Sequence, residues 1–154
     1  MGKKVIDMRS RPSFLHDFYG ATPGTNEYEV VKWLNRRVGS KDDEHFTRSK
    51  DVEGFVEEIR EVGITASVVV GRDIPGIRHT NDEISGITKG HKELVGMGSV
   101  DPLALGVKGS IAEVERAIKK LGLKGINLEP GFGSAPMKAD NPLLYPIYDA
   151  CDQL

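Results

Sequence analysis

Hydrophobic positions along the chain follow two alternating rhythms. Short apolar or β-branched runs open a strand at Val5-Ile6 and mark others at 64–70, 94–100 and 123–128. Between them, apolar residues recur at helical spacing. Val52, Phe55, Val56, Ile59 and Val62 form one stripe, with Gly63 as its stop. Thr80-Asn81-Asp82-Glu83 has the form of a capping box and opens a weaker helix through Ile84 and Ile87. Ser110-Ile111-Ala112-Glu113 has the same form and leads Ile111, Val114, Ile118 and Leu121 to a stop at Gly122. Asn141-Pro142 marks a last helix carrying Leu144, Ile147, Tyr148, Cys151 and Leu154, and Pro146 places its regular start after a turn.

The first strand and the first strong stripe are separated by a long irregular stretch, 13–48. A short helix is predicted inside it from Asn26 to Arg37, capped by Thr25 or Asn26, with Tyr28, Val31 and Leu34 on one side. Connections of this length are usually functional loops or lids. Phe14, Phe18, Tyr19 and Trp33 would either close over a pocket or hold the loop against the body.

Four strands, each followed by a helix, predict parallel β-α units wound right-handed in an α/β fold. Such a set is either half of a (β/α)8 TIM barrel or a small, complete doubly wound sheet. The pattern stops within a helical repeat, with no glycine cap and no polar tail. The expectation is that 1–154 supplies the first four units, the N-terminal half, of a single (β/α)8 barrel with a long first loop at about 13–48.

Composition narrows the function classes. The chain has 154 residues, 38% hydrophobic and 29% charged, with a formal net charge of −2. No basic stripe or block of like charge offers a footprint for nucleic acid or an anionic membrane. No apolar run approaches a membrane span, and the lysines at 3 and 4 precede only two apolar residues, unlike a signal peptide. The lone Cys151 allows no internal disulfide and suits a reducing compartment. A cytoplasmic location is expected.

In parallel α/β folds, ligands bind at the C-terminal ends of the strands. Those ends supply Asp7, Arg9 and Arg11 from the first strand, and Arg72 and Asp73 from the second. The third supplies Asp101, and the fourth Asn127 and Glu129. Side chains two apart share a strand face, so Asp7, Arg9 and Arg11 project together, as do Asn127 and Glu129. Two arginines on one face suit a carboxylate or phosphate through bidentate, charge-assisted bonds. Glu129, with Asp7, is the candidate for proton transfer; Arg72 and Asn127 join the two arginines as candidate substrate-binding groups. Asp73 and Asp101 fit turn initiation better. His16, His45, His79 and His91 show no metal-ligand spacing; His79 and His91 read as surface positions, and His16 follows the first strand closely enough to reach its end. Cys151 falls on a helical stripe and reads as core.

Three segments carry a resemblance to a family: Val5-Ile6-Asp7, the run from Gly96 through Met97-Gly98-Ser99-Val100-Asp101-Pro102, and Gly125-Ile126-Asn127-Leu128-Glu129-Pro130-Gly131. A fourth, Asn141-Pro142-Leu143-Leu144-Tyr145-Pro146-Ile147-Tyr148-Asp149-Ala150-Cys151, carries it most strongly. The chain resembles the amidohydrolase-2, or amidohydrolase-related, group of metal-dependent hydrolases and decarboxylases built on (β/α)8 barrels. That group's first strand carries Asp-x-His-x-His, whose histidines bind the catalytic metal. Here Arg9 and Arg11 stand at the matching positions, and a guanidinium cannot ligate a metal. The resemblance therefore implies an Arg-x-Arg sub-branch: a hydrolase, lactonase or decarboxylase of a small anionic substrate, without the usual metal site. A divalent zinc or manganese ion would have Glu129 as its only candidate ligand in this chain. The competing readings are a metal enzyme whose ligands lie mainly elsewhere and a non-catalytic barrel that binds an anion. A homo-oligomer, or association with the second half of the same barrel, is expected.

Overall fold

The computed structural model describes residues 4–15, 22–43 and 48–154. His16, Phe18, Tyr19 and His45 lie outside the described residues. The chain divides into two compact units, 1–67 and 68–154, with the boundary inside the second strand.

The first unit holds β1 (Ile6–Ser10), α1 (Asn26–Arg37), α2 (Val52–Glu61) and the start of β2 (Ala66–Val70). Helix α1 begins where the local sequence directs, with the Thr25 hydroxyl accepting from the Tyr28 N–H at 3.2 Å. The Asp51 carboxylate caps α2 through the Gly54 N–H at 2.8 Å. The predicted stripe of α2 buries Phe55, Val56 and Ile59, and Val31 of α1 is buried as well. Strand β1 runs beside the chain entering β2: the Val5 carbonyl accepts from the Thr65 N–H at 2.7 Å.

The second unit holds the rest of β2 and a two-stranded ribbon, β3 (Asp73–Ile74) and β4 (Ile77–Arg78). It continues through α3 (Asn81–Thr88), β5 (Leu94–Ser99), α4 (Pro102–Lys119), β6 (Ile126–Asn127) and α5 (Tyr145–Asp152). Its strands lie in the order β2-β5-β6, and β5 and β6 are parallel with Gly98 opposite Ile126. Its core gathers Val100, Val114, Leu144 and Ile147, with Ile126, Leu128 and Cys151 partly buried against them.

Several expectations hold residue by residue. Thr80 and Glu83 form a complete capping box on α3. A 3-10 turn at Pro142–Leu144, capped by Asn141, precedes α5 as Pro146 demanded. Other expectations need correction. Ser110 is not a cap: α4 already starts at Pro102, where Asp101 Oδ1 accepts from the N–H groups of Leu103 and Ala104. The helix bends at Gly106, whose φ of 65° only glycine adopts easily, and the Ser110 hydroxyl donates back to the Gly106 carbonyl at 2.9 Å. The fourth strand is regular only over Ile126–Asn127, although Lys124 and Gly125 already bond to β5. The β3-β4 ribbon, turned by Pro75-Gly76 with Gly76 at φ 83°, was not among the predicted elements. It carries His79 inward: that residue is 2% exposed, and its backbone N–H donates to the Arg72 carbonyl at 2.7 Å.

One buried amide ties this unit together. Asn81 accepts from the Ser99 N–H at 2.8 Å, donates to the Ser99 carbonyl at 3.1 Å, and donates to Glu113 of α4 at 2.7 Å. Glu113 and Asp82 both bind the Arg116 guanidinium. Asn81→Ala leaves a buried Ser99 N–H without its acceptor, at about 1–3 kcal/mol for each such group. A loss of about 2–4 kcal/mol in urea unfolding of the variant is expected.

Hydrogen bonding to Arg116 holds the Glu113 carboxyl below its ordinary value of 4.5. A depressed carboxyl stabilises the fold above its unfolded pKa, and that stabilisation is lost as pH falls through the folded pKa. Stability therefore declines as pH drops below about 4.5. Denaturant titrations across pH 3–6 should show a flatter dependence for Arg116→Gln, and an unchanged slope would overturn this assignment.

Candidate functional site

In the first unit, the end of β1 borders an open cavity of about 270 Å³. Arg9, Arg11 and Ser10 line it on one side; Phe55, Ile59 and Val62 supply apolar wall from α2 and its end. The sequence-predicted pair of arginines thus does meet a common cavity. Arg9 is exposed and Arg11 half-buried. Asp7 is engaged locally: its Oδ1 accepts from the Arg9 N–H at 3.0 Å, and its Oδ2 from the Ser10 hydroxyl. A fixed carboxylate beside Arg9 tempers the positive charge of the cavity and orients the strand end.

Beneath the arginines lies a chain of buried hydroxyls that no spacing in the sequence announces. Ser10 bonds Ser67, Ser13 donates to the Ser49 carbonyl, and Ser49 donates to Glu58 of α2. Ser10, Ser13 and Ser49 are each at most 7% exposed. Buried hydroxyls persist only when satisfied, so these bonds hold Ser10 to Ser67 and Ser13 to the segment at Ser49.

In the second unit, the strand ends bring Arg72 and Glu129 into one ion pair. Arg72 Nε lies 2.5 Å from Glu129 Oε2, and the side chains are 12% and 9% exposed. The sequence reading assigned these residues separate duties; the structure joins them. Phe132 covers the guanidinium, with Arg72 Cζ 5.4 Å from the ring centroid. No periodicity pointed to Phe132, which sits in a Gly-Phe-Gly turn. The Asn127 amide donates to the Gly71 carbonyl at 3.1 Å, holding β6 to the chain that carries Arg72. Asp73 pairs with Arg78 across the ribbon, and Asp101 caps α4. Both aspartates play the local roles expected of them. Asp73, Asp101 and Glu129 border a small cavity of about 10 Å³, room for about one water.

Among the described residues, no group of three or more His, Cys, Asp or Glu side chains could hold a metal ion. Glu129, the one candidate ligand, is bonded to a guanidinium. The described donor set therefore does not fit a metal centre. Cys151 is half-buried, and burial pushes its thiol pKa up, away from reactivity. No helix among the described residues is long and apolar enough to cross a membrane.

No family model and no curated protein matches the sequence. Solved structures do. An uncharacterised TIM-barrel protein from Bordetella bronchiseptica is similar over 98% of this chain and 52% of its own, at 27% identity and a TM-score of 0.78. 2,6-Dihydroxybenzoate decarboxylase from Rhizobium is similar over 99% of this chain and 47% of its own, at 14% identity and a TM-score of 0.60. 4-Oxalomesaconate hydratase from Rhodopseudomonas palustris is similar over 94% and 48%, at 17% identity and a TM-score of 0.58. The chain thus has an α/β fold of TIM-barrel type and spans about half the length of each of these proteins.

The Arg72–Glu129 pair yields a direct test. Removing one member of a nearly buried pair costs about 3 kcal/mol, because the remaining charge loses its partner. Arg72→Met should show that loss in urea unfolding, and Arg72→Met with Glu129→Leu should lose less than the two single changes summed. Strict additivity would mean that the two groups do not depend on each other.

Proposed function

We propose that this chain contributes to an amidohydrolase-like enzyme, a hydrolase, lactonase or decarboxylase, that acts on a small carboxylate-bearing substrate. Arg9 and Arg11 bind the anion. The observation that carries this reading is the 270 Å³ cavity of the first unit, where both arginines stand over an apolar wall. A wall of Phe55, Ile59 and Val62 suits the hydrocarbon part of such a ligand, and two guanidinium groups suit its carboxylate. Two of the similar structures bear the names of enzymes acting on carboxylates, which supports the same class.

Glu129 is the proposed proton-handling group, oriented by Arg72, with Asp7 as the second carboxylate of the first strand. Glu129 follows the C-terminal end of β6, where TIM-barrel enzymes carry their chemistry, whereas Asp7 lies near the start of β1 rather than at the strand end expected from the sequence. Asn127 positions β6, and Arg72 contributes substrate contact through the face of its guanidinium that Phe132 does not cover. The proposed chemistry uses no metal bound by the first strand, because arginine has replaced both nitrogen ligands there. In this reading, 1–154 forms the N-terminal half of one barrel, and the remaining groups come from the other half.

Arg9→Met should weaken binding of a carboxylate probe, 2,6-dihydroxybenzoate or a small dicarboxylate, by about 1.5–3 kcal/mol in calorimetric titration. Unchanged affinity would reduce Arg9 to a structural partner of Asp7. A stoichiometric zinc or manganese in the purified protein would overturn the metal-free part of the reading. No turnover across carboxylate, lactone and amide substrates, with binding retained, would favour a non-catalytic anion-binding barrel.

A further inference from the structure

Helix α1 is amphipathic twice over. Toward its own unit it turns Tyr28, Val31 and Asn35, which are half-buried or buried. The flank beside that face leaves apolar residues in water: Val30 is 48% exposed, Trp33 57% and Leu34 43%, so Leu34 does not join Tyr28 and Val31 in the buried stripe. Single exposed apolar residues are ordinary, but three on one flank of a twelve-residue helix mark an interaction surface.

The charges flanking this strip say what would cover it. At about 100° per residue, Glu27, Val30, Leu34 and Arg37 fall in one stripe roughly 80° wide on this flank, with Trp33 at its edge. Glu27 stands in the first turn and Arg37 in the last, and both are exposed. The order along the face is therefore acid, apolar centre, base, nearly symmetric about position 32. A surface of that kind complements itself when turned end for end. In an antiparallel pair, Glu27 of one copy would meet Arg37 of the other, twice. Val30 would meet Leu34, and the two Trp33 rings would lie near the axis. The roughly 15 Å between Glu27 and Arg37 along the helix is the same in both copies, so the register closes without adjustment. Such two-fold, isologous contacts are the commonest form of self-association. Arg37 already lies over its own Trp33 ring, Cζ 5.1 Å from the centroid, so the basic end is preorganised on the apolar centre.

We propose that α1 is a homodimer contact, its outward face pairing antiparallel with the same face of a second copy. One helix face covers less than the roughly 800 Å² per partner of a standard interface, so the dimer is weak and forms in the micromolar range or above. This inference does not depend on the proposed chemistry; it would stand even if the cavity beside Arg9 bound nothing.

The chain contains one tryptophan, Trp33, so its fluorescence reports on this face alone. Sedimentation of the 154-residue chain over rising concentration should show the mass climbing from 16.9 kDa toward twice that value. The Trp33 emission should shift to the blue in step. Leu34→Glu should abolish both changes, and Leu34→Gln should weaken them without adding charge. Glu27→Arg and Arg37→Glu should each raise the dissociation constant roughly fivefold to thirtyfold, because each disrupts two equivalent pairs. The double reversal Glu27→Arg with Arg37→Glu should restore wild-type association, which only an antiparallel self-pairing predicts. Every substituted position is exposed, and an unchanged far-UV circular dichroism spectrum confirms that folding is intact. The proposal is overturned by a monomer at every concentration, by association that ignores Leu34→Glu, or by a double reversal that fails to recover.

Discussion

Strand β5 must let its neighbours come close, and much of the second unit depends on that. A Cβ added at Gly96 would lie 2.6 Å from Leu123 and 2.8 Å from the Thr88 hydroxyl; one at Gly98 would lie 2.7 Å from Asn81 Oδ1. Glycine at both positions brings α3 and the chain before β6 onto the strand. That approach lets the Asn81 amide replace a missing backbone partner for Ser99 and reach Glu113 as well. Strand, two helices and the ion cluster on Arg116 thus share one anchor, placed next to the strand end that leads to Asp101.

The charged groups at the strand ends of this unit are paired before any ligand arrives. Arg72 neutralises Glu129, Arg78 neutralises Asp73, and Asp101 serves the first turn of α4. Pairing of this kind lowers the cost of holding charge near an apolar core. It also preorganises Glu129: a carboxylate gripped by a nearly buried guanidinium under an aromatic ring has little freedom to wander.

The first unit is organised differently. Its arginines stand at the rim of an open cavity, and the rigid part lies beneath them, in hydroxyls from Ser10, Ser13 and Ser49. Arg9 is exposed there and Arg11 half-buried, over a fixed polar floor and an apolar wall. The two kinds of candidate group, for anion capture and for proton transfer, accordingly differ in burial and in how firmly they are held.

The sequence by itself determined what depends on near neighbours. The α2 stripe, the Thr80 capping box, the turn before Pro146 and the alternation of strands with helices all follow from local periodicity and capping chemistry, which a chain carries wherever it folds. The Asp101-Pro102 start of α4 and the Pro75-Gly76 ribbon were missed, because Ser110 offered a competing cap and four closely spaced ribbon residues were too few to show a period. The candidate residues Arg9, Arg11, Arg72 and Glu129 were legible as strand-end positions. Their relations were not. Tertiary structure alone decided that Arg72 and Glu129, 57 positions apart, are partners; that His79 is buried; and that the serines under Arg9 form a network. It also decided that α1 keeps a second apolar face in water. Each of these depends on which distant segments come within hydrogen-bonding or van der Waals reach, and such distances are set by the fold's closure rather than by spacing along the chain.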